Sequence, residues 1–252
     1  MAARRAPAES LPFDYVSKTR SLPVNLLFLM PFLLLYQVAL TFTQSPVDNA
    51  AAAWLRALWA TLGPRGSMLA TLLVAVGLGV VVWVRAREAT KDRGVYGGML
   101  IEGLCYGAIL GTVANVMATR LPMERVVALA ADTGGTGSLE GLRHEFQQLG
   151  LAVGAGIFEE LIFRGVLLAG LYALLKHAIG ADRFTSAAIS IVVSAYLFSD
   201  YHHWGVTGEP YDAHVFAFRF HAGMILGGLF LFRGLGIAAF AHGFYDVLVM
   251  VG

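Results

Sequence analysis

The chain has 252 residues, of which 57% are hydrophobic and 14% are charged, and its formal net charge is +1. A soluble domain of this length carries more charge, which argues against a soluble fold. Its apolar runs are continuous, whereas a membrane β-barrel alternates apolar and polar residues. No basic stripe indicates a nucleic-acid partner. The composition therefore predicts an all-α, polytopic transmembrane helical bundle in a lipid bilayer.

The apolar runs predict about seven spans, because a membrane-spanning helix needs roughly 20 mostly apolar residues. In chain order they are Leu22–Phe42, Met68–Val84, Met99–Ala118, Phe146–Leu175, Phe184–Phe198, His214–Phe232 and Leu235–Val251. The segment Ala50–Leu62 is shorter and carries Trp54 and Trp59, which is typical of a helix lying in the membrane interface. If it crossed the membrane, it would be an eighth span. No linker divides the chain, so we expect one domain over residues 1–252.

Loop charges predict the orientation. With seven spans, the basic residues before the first span and after the second, fourth and sixth spans share one side of the membrane. The positive-inside rule then puts the N-terminus in the cytoplasm and the C-terminus outside. The first apolar run is too long for a signal-peptide core, and we expect it to be retained as a helix. The chain is thus predicted to be a multi-pass protein of the cell inner (plasma) membrane.

The fourth predicted span contains two adjacent acids, Glu159 and Glu160, followed by Arg164. Carboxylates at membrane depth are costly and usually mark a pathway, a proton relay or a catalytic site. On an α-helix Glu160 and Arg164 share a face and can pair. Glu159 points about 100° away from its neighbour. We therefore predict that Arg164 neutralises Glu160 and leaves Glu159 free for chemistry.

Two further polar clusters follow, one at the end of the fifth span and one in the seventh. The first includes His202 and His203, and the second pairs His242 with Asp246 on one helix face, four residues apart. A carboxylate, two imidazoles and a further hydrogen-bonding group suffice for general-base hydrolysis. The carboxylate takes a proton from water, and the neighbouring groups stabilise the oxyanion.

These three clusters carry a family resemblance. The motifs are Glu159-Glu160-x-x-x-Arg164, Phe198-x-x-x-His202 and His242-x-x-x-Asp246. Their order and spacing resemble the CPBP family, the CAAX prenyl endopeptidases and bacteriocin-processing or immunity-type membrane proteins that are also called the ABI family. The resemblance covers about residues 146–251.

The resemblance implies an intramembrane glutamate-type endopeptidase acting near the C-terminus of a membrane-anchored protein or peptide. It implies that Glu159 activates water with help from His202, and that Glu160 and Arg164 orient Glu159. His242 and Asp246 would form the oxyanion site.

The chain departs from the prenyl endopeptidase pattern at Asp246, where the family typically has Asn. An ionised Asp cannot donate a hydrogen bond to an oxyanion. Asp246 would have to be protonated, orient His242 or bind a positive group. At the second motif, the spacing from Phe198 favours His202, and His203 is the competing residue.

Several alternatives stay open at this level. Glu and His can ligate zinc, but the chain has no His-Glu-x-x-His helix, so we rank a zinc cofactor below water activation by Glu and predict no cofactor. The substrate could be a CAAX-type protein or one with a C-terminal sorting signal. A proton-coupled carrier, with the two glutamates as its relay, is a rival function. A non-catalytic immunity or scaffold protein is another.

Overall fold

The computed structural model describes residues 12–43, 57, 60–63, 80, 93–118, 139–204 and 208–250. The predicted second span, 68–84, and the interfacial segment, 50–62, lie outside the described residues apart from isolated positions. Every regular element in the described ranges is helical. The predicted all-α class is therefore confirmed.

The α-helices follow the predicted order of apolar runs. They are α1 (Pro12–Thr19), α2 (Leu22–Thr43), α3 (Arg93–Ala118), α4 (Leu139–Glu160), α5 (Ala169–Ala173), α6 (Arg183–Asp200), α7 (Ala213–Arg233) and α8 (Leu235–Met250). Two π-helical stretches, Leu161–Leu168 and Leu174–Ile179, flank α5 and continue the helix that α4 begins. A 3₁₀ turn, Tyr201–His203, ends α6.

Four helices in the described ranges are long and apolar enough to cross a membrane. They are Leu22–Thr43, Gly94–Ala114, Arg183–His203 and Ala213–Arg233, and Leu235–Met250 is a shorter apolar helix. These elements coincide with the predicted first, third, fifth, sixth and seventh spans. The predicted fourth span lies within the helical run 139–179, which carries the charged cluster at its centre. The chain is thus a multi-pass membrane protein, and the total of seven spans stays a prediction.

Local backbone signals mark the start of α6 and the end of α7. Asp182 caps α6 by accepting hydrogen bonds from the amides of Phe184 and Thr185 at 2.8 and 3.1 Å. Hydrogen bonds from Thr185 lower the pKa of Asp182. Gly234, with φ +97°, separates α7 from α8, a conformation that glycine adopts without a Cβ penalty. Helix α8 therefore starts directly after α7, and His242, the first residue of the third motif, lies about two turns into α8.

Helix α8 lies at the centre of the described bundle. Its first half is buried against α2, α3 and α4, and most of its buried residues are small. Helices α4 and α8 approach closely at Gly156 of α4. A Cβ added there would lie 2.5 Å from Gly243 Cα and 2.8 Å from the carbonyl oxygen of Ala239. Because Gly156 lies three residues before Glu159, this crossing sets the distance between the first and third motifs.

An ion pair between Glu102 and Arg233 joins α3 to α7. Arg233 Nε lies 2.8 Å from Glu102 Oε2, and Arg233 Nη2 lies 2.5 Å from Glu102 Oε1. The ring of Tyr15 lies under the same guanidinium, 5.2 Å from its central carbon. Burial raises the pKa of Tyr15 to about 12. This contact joins α1 to α3 and α7.

We predict that Gly156→Ala destabilises the bundle, because the added methyl would force α4 and α8 apart. Overpacking of this kind costs about 1–3 kcal/mol. The matched control is Gly170→Ala, at an exposed helical position with no atom within 4 Å of the new Cβ. It should be neutral, or stabilising by up to about 1 kcal/mol. Denaturant unfolding of both variants in one detergent measures the difference, and equal midpoints would contradict the role of Gly156.

Candidate active site

Four segments meet at the double glutamate. Glu159 and Glu160 are the last residues of α4, and Arg164 lies in the π-helical stretch that follows. The 3₁₀ turn after α6 brings Tyr201 to the cluster. His242 and Asp246 come from α8. The structure therefore brings five of the six predicted site residues into direct contact and puts His202 beside them.

The helix changes its winding directly after the two acids. The amide of Ala169 donates to the carbonyl oxygen of Arg164, five residues earlier, as in a π-helix. The hydroxyl of Ser194 on α6 donates to the carbonyl oxygen of Phe163 at 2.7 Å and fastens the wider turn to its neighbour. π-Helical turns inside α-helices are frequent at functional sites.

Glu160 and Arg164 form a fully buried ion pair. Arg164 Nη1 lies 2.8 Å from Glu160 Oε1, and both side chains are 0% exposed. Arg164 Nη2 also donates to the carbonyl oxygen of Gly223 on α7 at 3.0 Å. Its guanidinium lies over the Phe198 ring of α6, 4.5 Å from the ring centre. The Arg164 side chain therefore joins three helices while it balances Glu160.

His242 is held between carboxylates on both edges of its ring. Nδ1 lies 2.9 Å from Glu160 Oε1. Nε2 lies 3.5 Å from Asp246 Oδ2 and 3.8 Å from Glu159 Oε2. Because a carboxylate oxygen accepts, the Glu160 contact assigns the proton to Nδ1. Glu160 therefore contacts His242, and the role that the resemblance implied for Glu160, orienting Glu159, stays a prediction.

Glu159 has a different set of partners from its neighbour. The hydroxyl of Tyr201 donates to Glu159 Oε1, and Glu159 Oε2 is the oxygen that faces His242. The Glu159 carboxylate is buried, although 7% of the side chain is exposed to solvent. The two acids are thus distinguished by their contacts: Glu160 pairs with a permanent cation, and Glu159 accepts from a neutral hydroxyl.

Tyr201 was not among the predicted site residues. It lies next to His202, in the polar cluster at the end of the fifth predicted span, and this position is the one indication of its role in the sequence. A regular α-helix continued through residue 201 would not predict that the Tyr201 hydroxyl faces Glu159. The inward direction comes from the 3₁₀ turn, which is set by tertiary packing.

The two histidines of the second motif have separate surroundings. His202 Nδ1 lies 2.8 Å from the carbonyl oxygen of Phe198, and its ring centre is 4.2 Å from that of Tyr201. No hydrogen bond joins His202 to Glu159 or Glu160 among the described residues. His203 Nδ1 instead donates to the carbonyl oxygen of Glu209 at 3.0 Å, away from the cluster. Of the two, His202 is the one beside Glu159, through Tyr201.

An exposed ion pair lies next to the second motif. Arg219 on α7 makes two hydrogen bonds to the Glu209 carboxylate, both 2.9 Å. These bonds lower the pKa of Glu209. The Glu209 amide donates to the carbonyl oxygen of His202 at 2.9 Å. This pair therefore fixes the loop after the 3₁₀ turn to α7.

Within the described ranges, no group of three or more His, Cys, Asp or Glu residues is arranged to hold a metal ion. This result concerns the positions of the protein side chains alone. The ranking of water activation by Glu above zinc stays a prediction.

We predict that Arg164→Met lowers the free energy of unfolding of the bundle far more than Arg219→Met does. The first change leaves the buried Glu160 without its counter-charge, a loss of about 3–5 kcal/mol. The second breaks a pair whose side chains are 21% and 54% exposed, worth about 0.2–1 kcal/mol. Denaturant unfolding in detergent measures both.

Glu160→Gln combined with Arg164→Met should recover part of the stability lost in Arg164→Met, since the unpaired charge is gone. A double variant no more stable than the single one would count against the ion pair as the cause.

Comparison with known proteins agrees with the motifs. Residues 145–248 match the family model described as Rce1-like, type II CAAX prenyl endopeptidase. No curated protein and no solved structure matches the chain. The matched region includes α4 from its second turn, both π-helical stretches and nearly all of α8, with every predicted site residue. The match supports a CAAX-type membrane protease in general. Residues 145–248 are therefore similar to the Rce1-like CAAX prenyl endopeptidases, which confirms the resemblance predicted from the three motifs.

Proposed function

We propose that this protein is an intramembrane endopeptidase that hydrolyses a peptide bond near the C-terminus of a membrane-tethered protein, with Glu159 as the general base. The observation that carries the proposal is the unequal pairing of the two acids. Glu160 is bound to Arg164 at 2.8 Å, so its charge is committed. Glu159 Oε2 faces His242 Nε2 at 3.8 Å, a distance too long for a hydrogen bond.

The space between these two atoms suits the reacting water. A water that is about 2.8 Å from each atom can bridge them, because 3.8 Å is less than twice that length. Glu159 would accept one proton from this water, and the remaining hydroxide would bond to the scissile carbonyl carbon. When the tetrahedral intermediate collapses, the carbon–nitrogen bond breaks and the amine leaves with the proton from Glu159.

His242 and Asp246 would stabilise the negative oxygen formed in this step. His242 can donate through Nε2 when its ring is protonated, while Nδ1 stays bound to Glu160. Asp246, 17% exposed, can donate in its protonated form. His202 and the ring of Tyr201 form the wall on the other side of Glu159. The roles of Glu160 and Arg164 are then to hold His242 and to balance the buried charge.

An apolar cavity of about 170 Å³ lies between α2, α4 and α8. Ile157, two residues before Glu159, and Gly243, next to His242, line it. Such a lining favours an aliphatic or isoprenoid group over a polar one. It supports a lipid-bearing CAAX-type substrate over a soluble peptide, and a C-terminal sorting signal with an apolar segment is the second candidate. The loop charges support a plasma-membrane location with the N-terminus in the cytoplasm.

We predict that Glu159→Gln abolishes cleavage of a membrane-anchored reporter peptide in proteoliposomes. The amide cannot accept the water proton, and losing a general base costs about 10²–10⁴-fold in rate. Glu140→Gln, an exposed position in the first turn of the same helix, is the matched control and should cleave normally. Cleavage that survives Glu159→Gln would refute the mechanism. Ion-dependent flux without cleavage in the same vesicles would support the carrier instead.

Substitution of Asp246 distinguishes a hydrogen-bond donor from a required negative charge. We expect Asp246→Asn to remain active, because the amide donates to an oxyanion whatever the pH. Asp246→Leu should lose about 10²–10³-fold, as when one oxyanion donor is removed. An inactive Asn variant would mean that the carboxylate acts as an anion on His242.

A further inference from the structure

We propose that Tyr201 is a positioning residue that fixes the Glu159 carboxylate for water activation. This inference deepens the proposed function and rests on it. The phenolic hydroxyl donates to Glu159 Oε1. Since a hydroxyl donor can fix only one oxygen of a carboxylate at a time, the other oxygen, Oε2, is left toward His242.

The ring of Tyr201 is held rigidly enough to define where its hydroxyl lies. The residue is buried, with 6% exposure. Its ring centre lies 4.9 Å from that of Phe163 and 4.2 Å from that of His202. The 3₁₀ turn fixes the backbone at the same point. Packing on two sides therefore removes the freedom that a surface tyrosine would have.

The hydroxyl has no structural use apart from this contact. The neighbouring rings of Phe163 and Phe198 are apolar, so a phenylalanine would pack against them in the same space without the cost of burying a polar group. Among the described residues, Glu159 is the partner that satisfies the Tyr201 hydroxyl. A tyrosine at this position therefore indicates a requirement for the hydrogen bond itself.

Without this donor, the Glu159 carboxylate would have a competing position. The last torsion of a glutamate side chain has a broad energy profile. When the His242 ring is protonated, its Nε2, 3.8 Å away, is the nearest alternative donor, and a rotation that closed this gap would form a direct bond. That bond would occupy the space that the reacting water needs. Tyr201 thus keeps the base and the imidazole apart.

This arrangement also gives the second-motif histidine a place in the site. His202 contacts the Tyr201 ring and not the Glu159 carboxylate among the described contacts. Its Nδ1 donates to the carbonyl oxygen of Phe198, which leaves Nε2 as an acceptor when the ring is neutral. In this geometry His202 acts on Glu159 through the tyrosine that it supports.

Tyr201→Phe removes one oxygen atom and tests the inference. With a membrane-anchored reporter peptide in proteoliposomes, kcat should fall about 10–100-fold, as expected when a catalytic group is misplaced. KM should stay within about twofold, because Tyr201 does not bind the substrate. The matched control is Tyr196→Phe in α6, the helix that the 3₁₀ turn ends, at a position 51% exposed, which should change neither constant. A change in KM alone, or no change in kcat, would overturn the inference.

A second measurement needs no substrate. The infrared carboxylate band of Glu159, isolated as the difference between the wild-type protein and Glu159→Gln, should shift in Tyr201→Phe and not in Tyr196→Phe. An unshifted band would overturn the inference even if activity fell. If Glu159→Gln is inactive while Tyr201→Phe is fully active, the positioning role alone fails. If Glu159→Gln is also active, the proposed function fails with it.

Discussion

The buried ion pair between Glu160 and Arg164 is the interaction on which the rest of the site depends. Two charges without water are tolerated only when each is paired and further hydrogen bonded. Arg164 meets this condition through the carbonyl oxygen of Gly223 and the face of Phe198, and Glu160 meets it through His242. The need to satisfy one pair therefore fixes α6, α7 and α8 around the end of α4.

This pair also explains how two adjacent acids can have different chemistry. Identical side chains one residue apart differ only in what reaches them. A permanent cation reaches Glu160, and a neutral phenol reaches Glu159. The first contact keeps a negative charge in place, whereas the second orients a carboxylate and leaves it able to accept a proton. The proposed division of labour thus follows from the contacts and not from the residue type.

Helical periodicity predicted part of this arrangement. The pairs Glu160 with Arg164 and His242 with Asp246 follow from a spacing of four residues, and the apolar runs predicted five described helices. Contacts between segments could not be read from spacing. The π-helical turn after Glu160 and the 3₁₀ turn that directs Tyr201 inward both depend on packing against another helix. Periodicity assumes one regular helix, and the site lies where regular winding stops.

The departure at Asp246 changes the charge of the site more than its shape. Asp and Asn are nearly the same size, so either fits beside His242 Nε2. With Asp, three carboxylates lie around Arg164 and His242, and His242 is a second cation only when its ring is protonated. A water-poor site cannot keep the extra negative charge at low cost, so it favours one more shared proton. That proton can reside on Asp246, which would then donate a hydrogen bond as an Asn at this position would. The ability of Asp246 to stabilise an oxyanion would therefore depend on whether its neighbours Glu159, Glu160 and His242 are protonated.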